Sequence, residues 1–226
     1  MPYKIFVGYD RRESIVYHTF CQSVIDHATK PVSIIPLALD HLKDKYNEQH
    51  TDGSNAFIYS RFLVPSLCKY RGHALFVDGD MVVQDDITKL FHQYTDKDKA
   101  VSVVKHDYKT KHPVKYLGNK NEDYPRKNWS SVILWNCNHE ANKILTPQKV
   151  KKESGKYLHR FEWLQDDQIG ELPLEWNWLV EEYEHNDRAR LLHYTVGAPN
   201  FTEYENCDHS PEWFRSCDGV LKGLGG

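Results

Sequence analysis

Apolar residues fall in short continuous runs separated by amphipathic stretches, the pattern of a buried sheet with helices packed on it. Lys4-Ile5-Phe6-Val7 reads as a buried strand running into a Gly8-Tyr9-Asp10 turn. From Arg11 to Ile25 the apolar positions Ile15, Val16, Phe20, Val24 and Ile25 recur at helical spacing. Val32 to Leu37 is a second strand. The opening strand, helix, strand implies a parallel pair joined by a right-handed crossover. Residues 42–53 are polar and poorly periodic, a loop or short surface helix. Ser54 to Tyr70 predicts a helix with Phe57, Ile58, Phe62, Leu63 and Leu67 on one face, kinked or divided at Pro65. Ala74 to Val77 is apolar, partly β-branched and too short for a helix, hence a fully buried strand, and a second apolar run, Met81-Val82-Val83, follows at once.

Lys99 to Val104 predicts another strand, and His106 to Arg126 is basic, Tyr-rich and unpatterned. Loops of that length in compact domains often serve as lids, and basic residues there could meet phosphates as well as solvent. Asn128 to Cys137 reads as a strand with polar groups at its start, and Glu140 to Glu153 as a surface helix interrupted near Pro147. Trp163 to Gly170 reads as the beginning of a helix, Leu172 to Trp178 as a short strand, and Ala189 to Thr195 as a late strand ending in His193. The final Gly223-Leu224-Gly225-Gly226 predicts a frayed tail.

Candidate chemistry concentrates where the Ala74–Val77 strand leaves the sheet, at Asp78-Gly79-Asp80. In open α/β sheets ligands bind at the carboxyl ends of the strands. Gly79 lets the backbone bend and brings both acids to one point, where they repel unless a cation lies between them. Oxygen ligands suit Mg²⁺ or Mn²⁺. Asp-Gly-Asp is also ordinary turn chemistry. The buried strand in front favours the ligand reading, because a turn gains nothing from two acids at that place. Arg61 lies among apolar residues and needs an anion: a phosphate, an aspartate of the site or a structural carboxylate. Gly8, Tyr9 and Asp10 could hold a base or ribose, or Asp10 could cap the following helix. A lone His193 at a strand end is commonly structural.

The bulk numbers narrow the function classes. At 226 residues the chain supports one large domain with a substantial core. A net charge of −3 argues against a nucleic-acid binder. No apolar stretch reaches the length of a membrane span, and none of the signal-peptide kind opens the chain. The five scattered cysteines fit reduced thiols, so the expected location is cytoplasmic. Aromatic residues are plentiful, which core packing explains by default.

In order and spacing, the opening strand and helix, the Arg61 segment, Leu75 to Met81, Trp129-Ser130-Ser131-Val132, Asp167-Gln168 and His193-Tyr194-Thr195 resemble the nucleotide-sugar glycosyltransferases of GT-A fold, most closely the family 8 type that includes glycogenin and bacterial galactosyltransferases. The resemblance runs over nearly the whole chain and identifies it as a compact, divergent member. It implies a single Rossmann-like α/β domain with a mixed, mostly parallel central sheet flanked by helices. Residues about 1–105 would form its nucleotide-binding half, about 106–215 its acceptor and catalytic half, and 216–226 a tail. It implies Mn²⁺ or Mg²⁺ on Asp78, Asp80 and His193, the imidazole leaning the choice towards Mn²⁺. Gly8, Tyr9, Asp10, Arg61, Gly79 and Gly197 would lie along the nucleotide-sugar donor, a UDP-sugar. Asp167 would hold sugar hydroxyls, and Gln168 would lie under the reacting carbon. The implied reaction is sugar transfer with retention to a glycan, glycolipid or glycoprotein. Two places depart from the family pattern: Val196-Gly197-Ala198-Pro199-Asn200-Phe201 lacks the lysine that contacts the diphosphate, and Trp129-Ser130-Ser131 replaces Asn-Ala-Gly or Asn-Ser-Gly. The rivals are a sugar-nucleotide nucleotidyltransferase, for which Gly8-Tyr9-Asp10-Arg11-Arg12 is a poor triphosphate loop, and a non-catalytic sugar- or nucleotide-binding domain.

Overall fold

The computed structural model describes residues 2–51 and 55–222. Asp52, Gly53 and Ser54, which close the expected surface loop and begin the expected helix, lie outside the described residues, as does the expected frayed tail 223–226. The strands are β1 (Tyr3–Gly8), β2 (Val32–Leu37), β3 (His73–Val77), β4 (Met81–Val83), β5 (Val101–Val103), β6 (Val132–Asn136), β7 (Ile169–Glu171), β8 (Trp178–Leu179) and β9 (Leu191–His193). Six of them form the central sheet in the order β2, β1, β3, β6, β5, β7, and β4, β9 and β8 form a second, smaller one. In the central sheet β6 runs antiparallel to β3 and β5, while the other three pairings are parallel. The fold is α/β, with a mostly parallel central sheet flanked by helices, as the family resemblance implies.

Both faces of the sheet are covered, which is why its strands read as continuous apolar runs rather than alternating ones. Phe6, Phe76, Ile133 and Trp135 pack into one layer, and Ile5, Val7, Leu75, Val77, Val132 and Leu134 into the other. Burying a side chain of this size contributes about 1.5–3 kcal/mol. The helix Ser14–His27 covers the second layer with Phe20 and Val24 and reaches the smaller sheet through Val16. Its buried Ser23 hydroxyl accepts a hydrogen bond from the Val83 backbone N–H (3.0 Å), fixing β4 against the helix.

Several expected elements change identity. The helix expected up to Tyr70 is instead a turn, a 3₁₀ segment Ser60–Leu63 and a short α-helix Val64–Leu67. Pro65 sits in the first turn of that helix, where its missing N–H breaks no bond. Lys69 and Tyr70 at φ 55° and 54° then end it. Residues 129–131 form a 3₁₀ turn ahead of β6. Where a helix is expected from Trp163, a 3₁₀ turn Asp166–Gln168 leads directly into β7, which pairs with β5. Gly170 serves close packing there, since a Cβ would fall 2.5 Å from Ser102 Oγ. The expected strand at Leu172–Trp178 is mostly the 3₁₀ turn Leu174–Asn177, only Trp178 and Leu179 pairing with β9. Residues 216–222 are no tail: Ser210–Lys222 is a helix whose Trp213, Ser216 and Cys217 form a buried face, Trp213 and Cys217 packing with Val16, Val82 and Leu192.

Candidate active site

β3 ends at Val77, beside β1 and β6, and Asp78-Gly79-Asp80 carries the chain across to β4 in the smaller sheet. The connection is held from both sides. The Asp78 N–H donates to the Ser131 carbonyl (3.0 Å), and the Asp80 carbonyl accepts from the Tyr194 N–H (2.9 Å). Gly79 has no left-handed backbone among the described residues. Its place is set by contact, because a Cβ there would fall 2.5 Å from the Gly8 carbonyl oxygen.

Three side chains converge. The nearest ligand atoms of Asp78, Asp80 and His193 all lie within 4.8 Å of one another. His193, at the end of β9, is 2% exposed and sets its Nε2 3.4 Å from Asp80 Oδ1. Its other nitrogen, Nδ1, donates to Asn177 Oδ1 (2.9 Å). Asn177 is oriented in turn by donating to Ser131 Oγ (2.8 Å). That pairing fixes the ring and leaves the Nε2 lone pair facing the carboxylates, the arrangement in which a histidine ligates a metal. Asp80 Oδ1 is buried and, apart from the His193 ring 3.4 Å away, has no hydrogen-bond partner among the described residues. A buried carboxylate oxygen without a donor is costly unless a cation meets it. Two carboxylates and one imidazole fit Mn²⁺ or Mg²⁺, and the residues present therefore suit the ion.

Arg61, 4% exposed, meets its anion here: Nη1 lies 2.8 Å from Asp78 Oδ1 and donates to the Ser130 carbonyl (2.9 Å), while its guanidinium lies over the Phe76 ring. Burial pushes the Asp78 carboxyl up to about 6, against the pull of Arg61 and with the push of Asp80. Asp80 is held below the ordinary carboxylate range: burial raises it, but His193 and Lys115 outweigh that.

These groups open into a polar cavity of about 380 Å³ lined by Arg61, Asp78, Asp80, His193, Lys115, Asn128, Ser130, Ser131 and His159 among others. A groove of about 440 Å³ at the ends of β1 and β2, lined by Tyr9, Asp10, Arg12 and Ala38, shares Asn55 with it, and Asn55 Oδ1 is buried without a partner among the described residues. Asp10 acts as the cap of the turn that follows, accepting from the Arg12 N–H (2.9 Å) and the Ala56 N–H (3.1 Å), and it pairs with the Arg12 guanidinium (2.7 Å). Gly8 lies against the Phe57 ring, where a Cβ would clash at 2.3 Å.

Three expected site residues are elsewhere. Asp167 and Gln168 precede β7, whose Ile169 pairs with Val101 and whose Glu171 pairs with Val103. Val103 lies opposite Ile133 and Val77 opposite Val132, so the Asp78 edge of the sheet is the Glu171 edge. Asp167 and Gln168 therefore sit at the opposite edge. There the Asp167 carbonyl accepts from Lys99 Nζ, and Gln168 caps its own turn by accepting from the Gln165 N–H. Gly197 is packed behind Tyr204, 2.2 Å from the ring by a notional Cβ, and does not line the cavity.

The cavity, and the small pocket that shares Asp80 and Tyr116 with it, also contain residues that their types alone do not mark. Lys115 Nζ donates to Thr195 Oγ1 (2.8 Å), two residues beyond His193. Glu13 is buried, accepts from Tyr116 Oη (3.0 Å) and is pushed up to about 7 by burial and then by Asp80. His159 donates to or accepts from Ser130 Oγ (2.7 Å) and is pushed down to about 3 by burial, so it stays neutral. The basic character of residues 106–126 was the one available hint of Lys115; nothing local marks Glu13, Asn177 or His159.

Among known proteins, the chain is 39% identical over 229 residues to Protein CDI of Arabidopsis thaliana, covering 98% of this chain and 88% of that protein. No protein-family model matches the chain. Among solved structures it is similar to the bifunctional glycosyltransferase WbbM (TM-score 0.65, 16% identity, 96% of this chain and 49% of that one). It is similar too to the glycosyltransferase GlyE of Streptococcus pneumoniae (TM-score 0.64, 12% identity, 96% and 60%). The chain thus spans about half to three fifths of those two proteins, and the likeness gives it the fold of the GT-A-type glycosyltransferases. No helix of the described residues is long and apolar enough to cross a membrane.

Proposed function

Because the chain belongs to the family of Protein CDI and carries a glycosyltransferase fold, we propose that it is a metal-dependent glycosyltransferase of family 8-like type, using a nucleotide-diphospho-sugar. The observation that carries this reading is the convergence of Asp78, Asp80 and His193, with a buried Asp80 oxygen that only the His193 ring approaches among the described residues, on a polar cavity. Asp78, Asp80 and His193 would hold Mn²⁺, and the ion when bound supplies positive charge to the departing nucleoside diphosphate. Arg61 fixes Asp78. Asn177 fixes the His193 tautomer. Tyr9, Asn55 and the groove above β1 and β2 take the nucleoside, and the polar floor made by Asn128, Ser130 and Ser131 takes the sugar. Donor and stereochemistry follow the family resemblance, a UDP-sugar transferred with retention to a glycan, glycolipid or glycoprotein. The catalytic pair Asp167 and Gln168 drops out of the reading. The two halves, 1–105 and 106–215, act as one domain, since each contributes side chains to the same cavity.

The test is release of nucleoside diphosphate from UDP-glucose, UDP-galactose and GDP-mannose with Mn²⁺. Release from one donor, lost in EDTA and in Asp80→Asn, is expected. Metal-dependent donor binding with no release, with or without sugar acceptors, would favour a non-catalytic binding domain instead.

A further inference from the structure

The segment 106–127 holds no longer element than the 3₁₀ turn Tyr116–Gly118, a turn begun at Pro125 and a single bridge between Val114 and Lys120. A few local backbone bonds and a set of side-chain bonds hold the stretch, and one buried acid takes three of the latter. Glu182, 2% exposed, accepts from Thr110 Oγ1 (2.6 Å), the Lys111 N–H (2.7 Å) and Asn121 Nδ2 (2.9 Å). Lys127 Nζ donates to Asn121 Oδ1 (2.7 Å), extending the same network. The result is that the tip lies on the cavity. The Tyr116 N–H donates to the Val196 carbonyl (2.8 Å), and Lys115 reaches Thr195.

Lys115 has no ion-pair partner among the described residues; burial, with Lys127 beside it, pushes its ammonium below the usual lysine range, and the negative charges that oppose this most are Asp80 and Asp78, which line the same cavity. Once a divalent ion neutralises those two carboxylates, that attraction disappears and the ammonium faces a metal of its own sign. Arg61 cannot compensate, being held by Asp78. The pair of cations is favourable only with an anion between them, and a diphosphate offers oxygens to both.

We propose that residues 106–127 form the diphosphate clamp of this site, with Lys115 as its cation and Glu182 as the positioning residue that pins the segment in place. This rests on the nucleotide-sugar reading above.

The test is calorimetric titration with UDP, GDP, CDP, ADP and dTDP, each with Mn²⁺, and with the matching nucleosides. It uses the wild-type chain, Lys115→Met, Glu182→Gln and the double variant. Lys115→Met is expected to weaken the preferred diphosphate by ~10–100-fold, without weakening the nucleoside or nucleotide-free Mn²⁺ binding. Glu182→Gln is expected to act in the same direction, with the double variant no weaker than Lys115→Met alone, because the pin matters only through the cation. If wild type binds no diphosphate, the glycosyltransferase reading fails and the clamp with it. Tight diphosphate binding by wild type and Lys115→Met alike overturns the clamp alone. Additive losses reduce Glu182 to a structural residue and overturn its part. Lys115 lies on a segment without regular structure, so its variant decides the matter even if Glu182→Gln fails to fold.

Discussion

The cavity has two walls built by different means. On one side Asp78, Asp80 and His193 stand at the ends of strands, where ladder hydrogen bonds and a packed core on both sheet faces leave little freedom. On the other side residues 106–127 are held by side-chain bonds, several of them to Glu182, and by a few scattered backbone bonds. A site made this way keeps Asp78, Asp80 and His193 preorganised and leaves the opposite wall adjustable, since local opening is easiest where few backbone bonds and little apolar burial hold the chain. The contrast suits a reaction in which the metal site is permanent and the donor must enter and leave.

Four experiments break or sharpen that contrast. The largest effect belongs to Asp80→Asn, expected to weaken Mn²⁺-dependent diphosphate binding by ~100-fold or more. The metal-free melting temperature should stay nearly unchanged. A large loss of stability in that melt would show a structural carboxylate instead. Next, Asn177→Ala frees the His193 ring and should weaken Mn²⁺ by ~10–100-fold, read by electron paramagnetic resonance of free Mn²⁺. Unaltered affinity would mean that the Asn177 contact does not position a ligand.

The third is pH. Asp78 is raised to about 6, chiefly by burial, so a proton must leave before metal binds. Mn²⁺ affinity is therefore expected to climb by up to ~10-fold per unit between about pH 5 and 6 and to flatten above about 7. The sign for stability is the reverse. The folded, metal-free chain keeps this proton at pH values where the unfolded one has lost it, so the contribution of Asp78 falls as pH rises towards 6. A flat affinity profile would place the titrating group elsewhere. The smallest effect on the metal belongs to Glu182→Gln. It should leave nucleotide-free Mn²⁺ affinity within about 2-fold while amide exchange across residues 106–127 quickens by ~10-fold or more and exchange at Asp78–Asp80 stays put. Equal quickening in both walls would erase the distinction between them.

What the sequence made legible follows the same division. Strands buried on both faces announce themselves as runs such as Ala74–Val77, and a strand end bearing Asp78 and Asp80 is visible because acids are rare in such a place. Their approach to His193 was supplied by family resemblance, since no spacing reveals that β4 pairs with β9. Gln168 shows the cost of reading position from order alone: an Asp-Gln pair looks the same at either edge of a sheet. Only the register of β7 on β5 places it far from Asp78, Asp80 and His193. Lys115 and Glu182 are 67 residues apart, as read from their numbers, and polar networks of that span leave no periodicity to detect. The helix Ser210–Lys222 was readable from Trp213, Ser216 and Cys217 at helical spacing, with Ser210-Pro211 at its start.

The most direct measurement is a thermal-shift comparison of UDP, GDP, CDP, ADP and dTDP, each with Mn²⁺ and with EDTA. A ligand that binds only the folded chain raises its melting temperature. One diphosphate should do so with Mn²⁺ and lose the effect in EDTA, and in Asp80→Asn. Failure of every diphosphate to shift the wild-type chain would contradict a nucleotide-sugar site and leave only the fold.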